Sequence, residues 1–299
     1  MPRPLTALAT LATLAVVGFG IFWVATAPRP LPASAVAGLT GDASRGEAVF
    51  WAAGCASCHA APGAKGDDML LLTGGQRFPS PFGTFLAPNI SPDPSHGIGG
   101  WRLLDLANAM TRGVSPEGRH YYPAFPYGSF NKVSLQDIAD LKAFLDTLPP
   151  SATPSLPHEV PFPFNIRRSL GGWKLLFLRD SWVLTGDLTP PGQRGRYLVE
   201  ALAHCGECHT PRNLLGGMDK SRWLAGAPDP SGKGSIPNIT PAKLTWTPAE
   251  IAEYLRSGFT PDYDSVGGAM AHVVENFARL PQSDRDAVAA YLTRVPANN

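Results

Sequence analysis

Cys55-Ala56-Ser57-Cys58-His59 and Cys205-Gly206-Glu207-Cys208-His209 decide the reading of this 299-residue chain. Both are Cys-x-x-Cys-His motifs, the pattern at which c-type haem is attached. Two thiols three positions apart share one face of a helical turn. They can add to both vinyl groups of one porphyrin, and the following His can give an imidazole nitrogen to the iron. The chain has 4 Cys, all inside these motifs. A zinc site would need the pairs to converge or further ligands nearby. A Cys-x-x-Cys disulfide closes a loop too short to stabilise a chain of this size much. The motifs therefore predict two covalently attached haem c groups. Cys55, Cys58, Cys205 and Cys208 are the attachment residues, with His59 and His209 as iron ligands.

An apolar run from Leu5 to Ala27 carries no charge, and Arg3 is the only charged side chain before it. About 20 apolar residues suffice to cross a bilayer as a helix. The positive-inside rule keeps the N-terminus cytoplasmic and exports the rest. Ala25-Thr26-Ala27 has the small-x-small form of a cleavage site, but Pro28 follows it. A retained anchor is favoured over a cleaved signal. The expected location is the bacterial inner membrane, with the haem domains in the periplasm. The formal net charge of +1, without a Lys/Arg run, excludes nucleic acid as a partner. The 31 Gly and 31 Pro predict a loop-rich fold.

The chain is an approximate repeat. A short helical pattern precedes each motif, Arg45 to Gly54 and Arg194 to His204. Phe50 and Tyr197 are placed on it for packing. Downstream each half has Pro-Asn-Ile, at Pro88-Asn89-Ile90 and Pro237-Asn238-Ile239, then a Trp and a helix. The helices are predicted over Leu103 to Arg112 and Pro248 to Ser257, the second with Thr247 and Glu250 as a capping box. Each half closes with an amphipathic helix, Ser134 to Leu148 and Ser283 to Val295. This mainly α layout resembles a class I-like cytochrome c domain, twice in tandem, behind a transmembrane helix. The expected divisions are an anchor at 1–27, a tether at 28–40, domains at 41–150 and 191–299, and a connector at 151–190. The connector is too apolar for a solvated linker and is expected to pack across both domains.

The halves differ in their sixth ligands. Met270, in the loop before the last helix, is the expected ligand of the second haem, with His272 its nearest competitor. His/Met ligation raises the potential and holds iron six-coordinate. The equivalent first-half loop reads His120-Tyr121-Tyr122-Pro123-Ala124-Phe125-Pro126-Tyr127, with Phe125 opposite Met270. Phenylalanine cannot bind iron. His120 ranks first as ligand there, a vacant face second, Met110 third, and Tyr122 or Tyr127 last. Met69 lies too close to His59 in sequence. Asn89 and Asn238 either bond a propionate or brace their loops.

Pro88-Asn89-Ile90 with Gly99-Gly100-Trp101, then Tyr122 to Tyr127, then Pro163-Phe164-Asn165-Ile166-Arg167-Arg168 and Trp173-Lys174, resembles the cytochrome c subunits of bacterial membrane-bound dehydrogenases. These serve alcohol, gluconate, sorbitol and aldehyde dehydrogenases. The resemblance covers most of the chain after Gly41. It implies periplasmic electron transfer from a catalytic partner to quinone, a terminal oxidase or another cytochrome. Those subunits usually carry three haem motifs and a Met where this chain has Phe125. The alternative reading is a dihaem oxidoreductase whose open first haem acts on a small substrate. Beyond the haem ligands, the sequence offers no catalytic acid–base set.

Overall fold

A computed structural model describes residues 4–230, 232 and 234–298. Arg3, which orients the predicted span, lies outside them. The first helix, α1 (Pro4–Ala25), stands apart from the core with Leu8 to Val24 exposed. Its segment Leu8–Ala25 is long and apolar enough to cross a membrane. Beyond it, residues 28–37 lie against the first half: the Leu31 N–H donates to Asn108 Oδ1 at 2.6 Å. Leu31 and Val36 pack on the core.

The first half runs through α2 (Ala43–Ala52), α3 (Cys55–His59), the hairpin β1 (Arg77–Ser80) and β2 (Gly83–Leu86), α4 (Leu103–Arg112), α5 (Tyr127–Phe130) and α6 (Leu135–Leu145). In the hairpin Arg77 pairs with Leu86 and Ser80 with Gly83. After the connector helix α7 (Ser169–Phe177), the second half repeats the order. It runs α8 (Pro190–Tyr197), α9 (Gly206–His209), the short strands β3 (Ala227–Pro228) and β4 (Ser235–Ile236), α10 (Pro248–Ser257), α11 (Met270–Ala278) and α12 (Gln282–Leu292).

Local chemistry explains the boundaries. Asp42 caps α2 by accepting from the Ser44 and Arg45 N–H groups. Thr247 and Glu250 form the predicted capping box of α10. Gly113 and Gly258 end α4 and α10 in the left-handed region, at φ 58° and 77°. The last helix departs from expectation. It begins at Gln282, after Pro281, with no side-chain cap. Asp284 is drawn instead into an ion pair with Arg194.

In each half the first helix crosses the last at a glycine. A Cβ on Gly46 would collide with the Asp140 carbonyl, and one on Gly195 with that of Ala287. Only glycine allows the backbones this close. Phe50 fills the first crossing, 5.2 Å from the Phe144 ring. Val199 follows Gly195 at the spacing by which Phe50 follows Gly46 and is fully buried there. Tyr197 lies one face over and reaches the first half. Its hydroxyl donates to Asp137 and accepts from the Ser134 N–H at 3.0 Å.

The second half has a π-helical turn, Leu198–Leu202, before its haem motif. Such turns recur at functional sites. It presents Glu200, buried, to the Val183 and Leu184 N–H groups and to the Tyr291 hydroxyl at 2.7 Å. The connector thus grips the second half here and the first at Lys174, whose ammonium donates to the carbonyls of Arg112 and Gly113, each at 2.7 Å.

Candidate haem sites

Both pentapeptides form a single helical turn entered through a residue in the left-handed region. In the first half that residue is Gly54, at φ 65°. In the second it is His204, at φ 43°, a costlier choice for a residue with a Cβ. Its Nδ1 lies 2.9 Å from the Leu202 carbonyl and its ring 5.4 Å from that of Phe130.

The same bracket holds each histidine. His59 Nδ1 lies 2.9 Å from the Pro88 carbonyl, and His209 Nδ1 lies 2.8 Å from that of Pro237. The carbonyl fixes Nδ1 as the donor and leaves Nε2 as the nitrogen with a free lone pair. The carbonyl of His59 accepts from the Gly74 N–H at 2.7 Å, and that of His209 from Gly226 at 2.8 Å. Gly74 and Gly226 stand at φ 74° and 84°, with no room for a side chain beside the Pro-Asn-Ile strand. Ile90 and Ile239 tie that strand to Leu72 and Leu224, each at 3.0 Å.

The asparagines complete the bracket from within the chain. Asn89 Oδ1 accepts from the Ser91 N–H at 2.9 Å and its Nδ2 donates to the carbonyls of Ser151 and Thr153. Asn238 Oδ1 accepts from Thr240 and its Nδ2 donates to the Asn298 carbonyl. Of the two roles open to them, bracing the loop is the one the geometry shows.

The surroundings suit a c-type haem. Burial lowers the pKa of His59 and His209, so both rings stay neutral, the form that binds iron. Burial also pushes Cys55 and Cys205 up to about 12 and Cys58 up to about 11. Among the described residues no group of three or more His, Cys, Asp or Glu converges as a metal site.

In the segments expected to supply the sixth ligands the halves diverge. Met270 starts α11, partly buried against the core. His272 points outward, half-exposed, with Glu275 at 3.5 Å. In the first half Phe125 sits between Tyr121 and Phe130, with ring centroids 5.9 and 5.8 Å away.

His120, ranked first by sequence as the first iron's ligand, is engaged elsewhere. Its Nε2 lies 2.9 Å from the Thr26 carbonyl and its Nδ1 3.1 Å from Lys174 Nζ. Both ring nitrogens therefore meet protein partners. The residue instead ties the exit of α1 to the first half and the connector. Arg168, stacked over Trp23 at 4.1 Å, and the Thr26 hydroxyl join the same latch. Sequence reasoning missed this cluster because its members are scattered over residues 23–174.

Tyr122 is also engaged, donating to the Phe164 carbonyl at 3.3 Å under the Arg167 guanidinium. Met69 and Met110 are buried in the core. Tyr127 is fully buried, and its hydroxyl has no hydrogen-bond partner among the described residues.

Comparison with known proteins agrees with this chemistry. The family model for cytochrome c matches residues 43–149. A diheme cytochrome c-type protein of Cereibacter sphaeroides is 62% identical, over 99% of each chain. The fructose dehydrogenase cytochrome subunit of Gluconobacter japonicus is 37% identical over 99% of this chain and 60% of its own. The cytochrome c subunit of alcohol dehydrogenase (quinone) from Gluconobacter oxydans is 34% identical, over 85% of this chain and 54% of its own. The chain thus spans little more than half the length of these dehydrogenase subunits.

Proposed function

The chain belongs to the cytochrome c family as a dihaem member that binds two covalent haem c groups, and from that premise we propose that it relays electrons for a membrane-bound dehydrogenase. The observation that carries the reading is the bracket built twice, His59 on Pro88 and His209 on Pro237. Each haem, when bound, supplies a one-electron couple at iron.

The chain's own residues do the rest. Cys55 and Cys58 hold one porphyrin and Cys205 and Cys208 the other. The Pro88 and Pro237 carbonyls fix the tautomer of His59 and His209 and raise their basicity. Met270 offers a thioether to the second site. One apolar core runs behind both motifs, and an apolar setting favours a raised potential.

The donor in this reading is a dehydrogenase subunit, as for the relatives with that name. Quinone, a terminal oxidase or another cytochrome accepts. The helix α1 anchors the protein in the inner membrane and the haem halves face the periplasm. The His120 latch then holds the first half close to the membrane surface.

A pyridine haemochrome assay of the purified chain tests the assignment. Two haems per chain are expected, falling to one in Cys55→Ala/Cys58→Ala and to one in Cys205→Ala/Cys208→Ala. Retention of both haems in either variant contradicts it.

One observation favours a second reading. The first-half loop that corresponds to the one before Met270 carries Phe125, packed against Tyr121, and both nitrogens of His120 are engaged. A first iron without an internal sixth ligand would bind a small molecule there.

A further inference from the structure

Each haem motif is held by a helix of the other half, in a reciprocal pair of contacts. Asn276, on α11 of the second half, donates from Nδ2 to Ser57 Oγ at 2.7 Å. Ser57 directly precedes Cys58. Ser129, on α5 of the first half, donates to Glu207 Oε1 at 3.0 Å. Glu207 directly precedes Cys208.

These contacts are equivalent under the internal repeat. Ser57 and Glu207 hold the same place in their motifs. Ser129 and Asn276 each precede a buried phenylalanine, Phe130 and Phe277. Each half therefore uses the segment after its distal loop to hold the other half's Cys-x-x-Cys turn.

Further contacts close the same seam. The His204 ring lies against Phe130, and the Arg279 guanidinium lies 4.1 Å above the Trp51 ring. The Pro-Asn-Ile brackets, by contrast, bond to residues 151–155 and 298, away from the seam.

Asn276 bears a cost for its place. It is 2% exposed, and its Oδ1 is buried without a hydrogen-bond partner among the described residues. An apolar residue of similar shape would pack there without that loss. A buried polar group kept at such a cost marks a position where geometry matters more than stability.

We propose that electrons cross between the two haem sites at the edge marked by Cys58 and Cys208, with Asn276 and Ser129 as the positioning residues that fix the gap. The proposal rests on the two-haem relay reading. One electron moves from a ferrous to a ferric centre. No bond forms or breaks and no proton is transferred.

The test uses the full-length dihaem protein. A short photoreduction pulse loads one electron, and absorbance follows its redistribution between the haems. In Asn276→Leu/Ser129→Ala the redistribution is expected to slow by about tenfold, the effect of about 1.4 kcal/mol on a barrier. Both potentials and both absorption spectra should stay as in the parent. Glu253→Gln, on the exposed face of α10, serves as the control at parental rate. An unchanged rate in the double variant overturns the proposal and leaves the relay reading intact. No redistribution in the parent protein overturns the relay reading itself. Dipolar coupling between the two ferric irons of the unmodified protein gives a reading that needs no variant. Resolved coupling is expected, and its absence overturns the proposal.

Discussion

Arg194 grips Asp284 through two parallel bonds, Nε to Oδ1 at 2.8 Å and Nη2 to Oδ2 at 2.7 Å, joining the first and last helices of the second half. Asp284 is 6% exposed, so the pair is partly shielded from water. Arg45 and Asp140 make the same fork in the first half, at 2.7 and 2.9 Å. Planar forks of this kind are the stronger class of ion pair. Asp284→Ala leaves the guanidinium without its partner and is expected to cost about 1–3 kcal/mol. Urea unfolding followed by haem absorbance measures it. A change below a few tenths of a kcal/mol would show that the fork does not hold the crossing.

Asp140 gives the first half an acid limit. Its bond to the Arg45 guanidinium holds the carboxyl below the usual carboxylate range. A carboxyl with a depressed folded pKa stabilises the fold above its unfolded value, about 3.9. That stability is lost as pH falls through the folded value. The parent should therefore lose stability on acidification below about pH 4 more steeply than Asp140→Asn. Thermal unfolding from pH 6 to pH 2 measures the difference, and parallel curves would refute it.

His120 is expected to act as a latch. His120→Ala should loosen residues 26–37 and leave the first haem's spectrum unchanged. Limited proteolysis near Pro28, with electron paramagnetic resonance of the ferric protein, separates the two roles. Burial holds the His120 pKa below the usual imidazole range, with Lys174 and Arg168 adding to the effect. The neutral ring is thus the folded form, and the latch should weaken as pH falls below about 6.5. A changed first-haem signal in His120→Ala would make His120 the ligand after all.

Phe125 predicts an asymmetry between the haems. Carbon monoxide added to the reduced protein should shift about half of the Soret absorbance. Phe125→Met puts a thioether into the first-half loop that corresponds to the one before Met270. It should abolish that response and raise the first potential. A parent protein whose haems both ignore carbon monoxide would show that another residue, such as Met110, closes the first site.

Much of this fold was legible in the sequence because the repeat is written in local signals. The capping box at Thr247 and Glu250 and the bounds read for α4 and α10 are reproduced by the structure. The haem c content followed from the spacing of Cys55 to His59 and Cys205 to His209. What stayed hidden depends on distance along the chain. Nothing near His120 announces Thr26 or Lys174. Nothing near Ser57 announces Asn276, 219 residues away. Nothing near Asp284 announces Arg194, which only the crossing at Gly195 brings near.

The central claim is that one chain carries two redox centres that work as a relay. A spectroelectrochemical titration of the purified full-length protein tests it most directly. The account predicts two one-electron waves of nearly equal amplitude, with Met270→Ala lowering only one of them. A single wave, or one centre that does not change state over the titrated range, would contradict it.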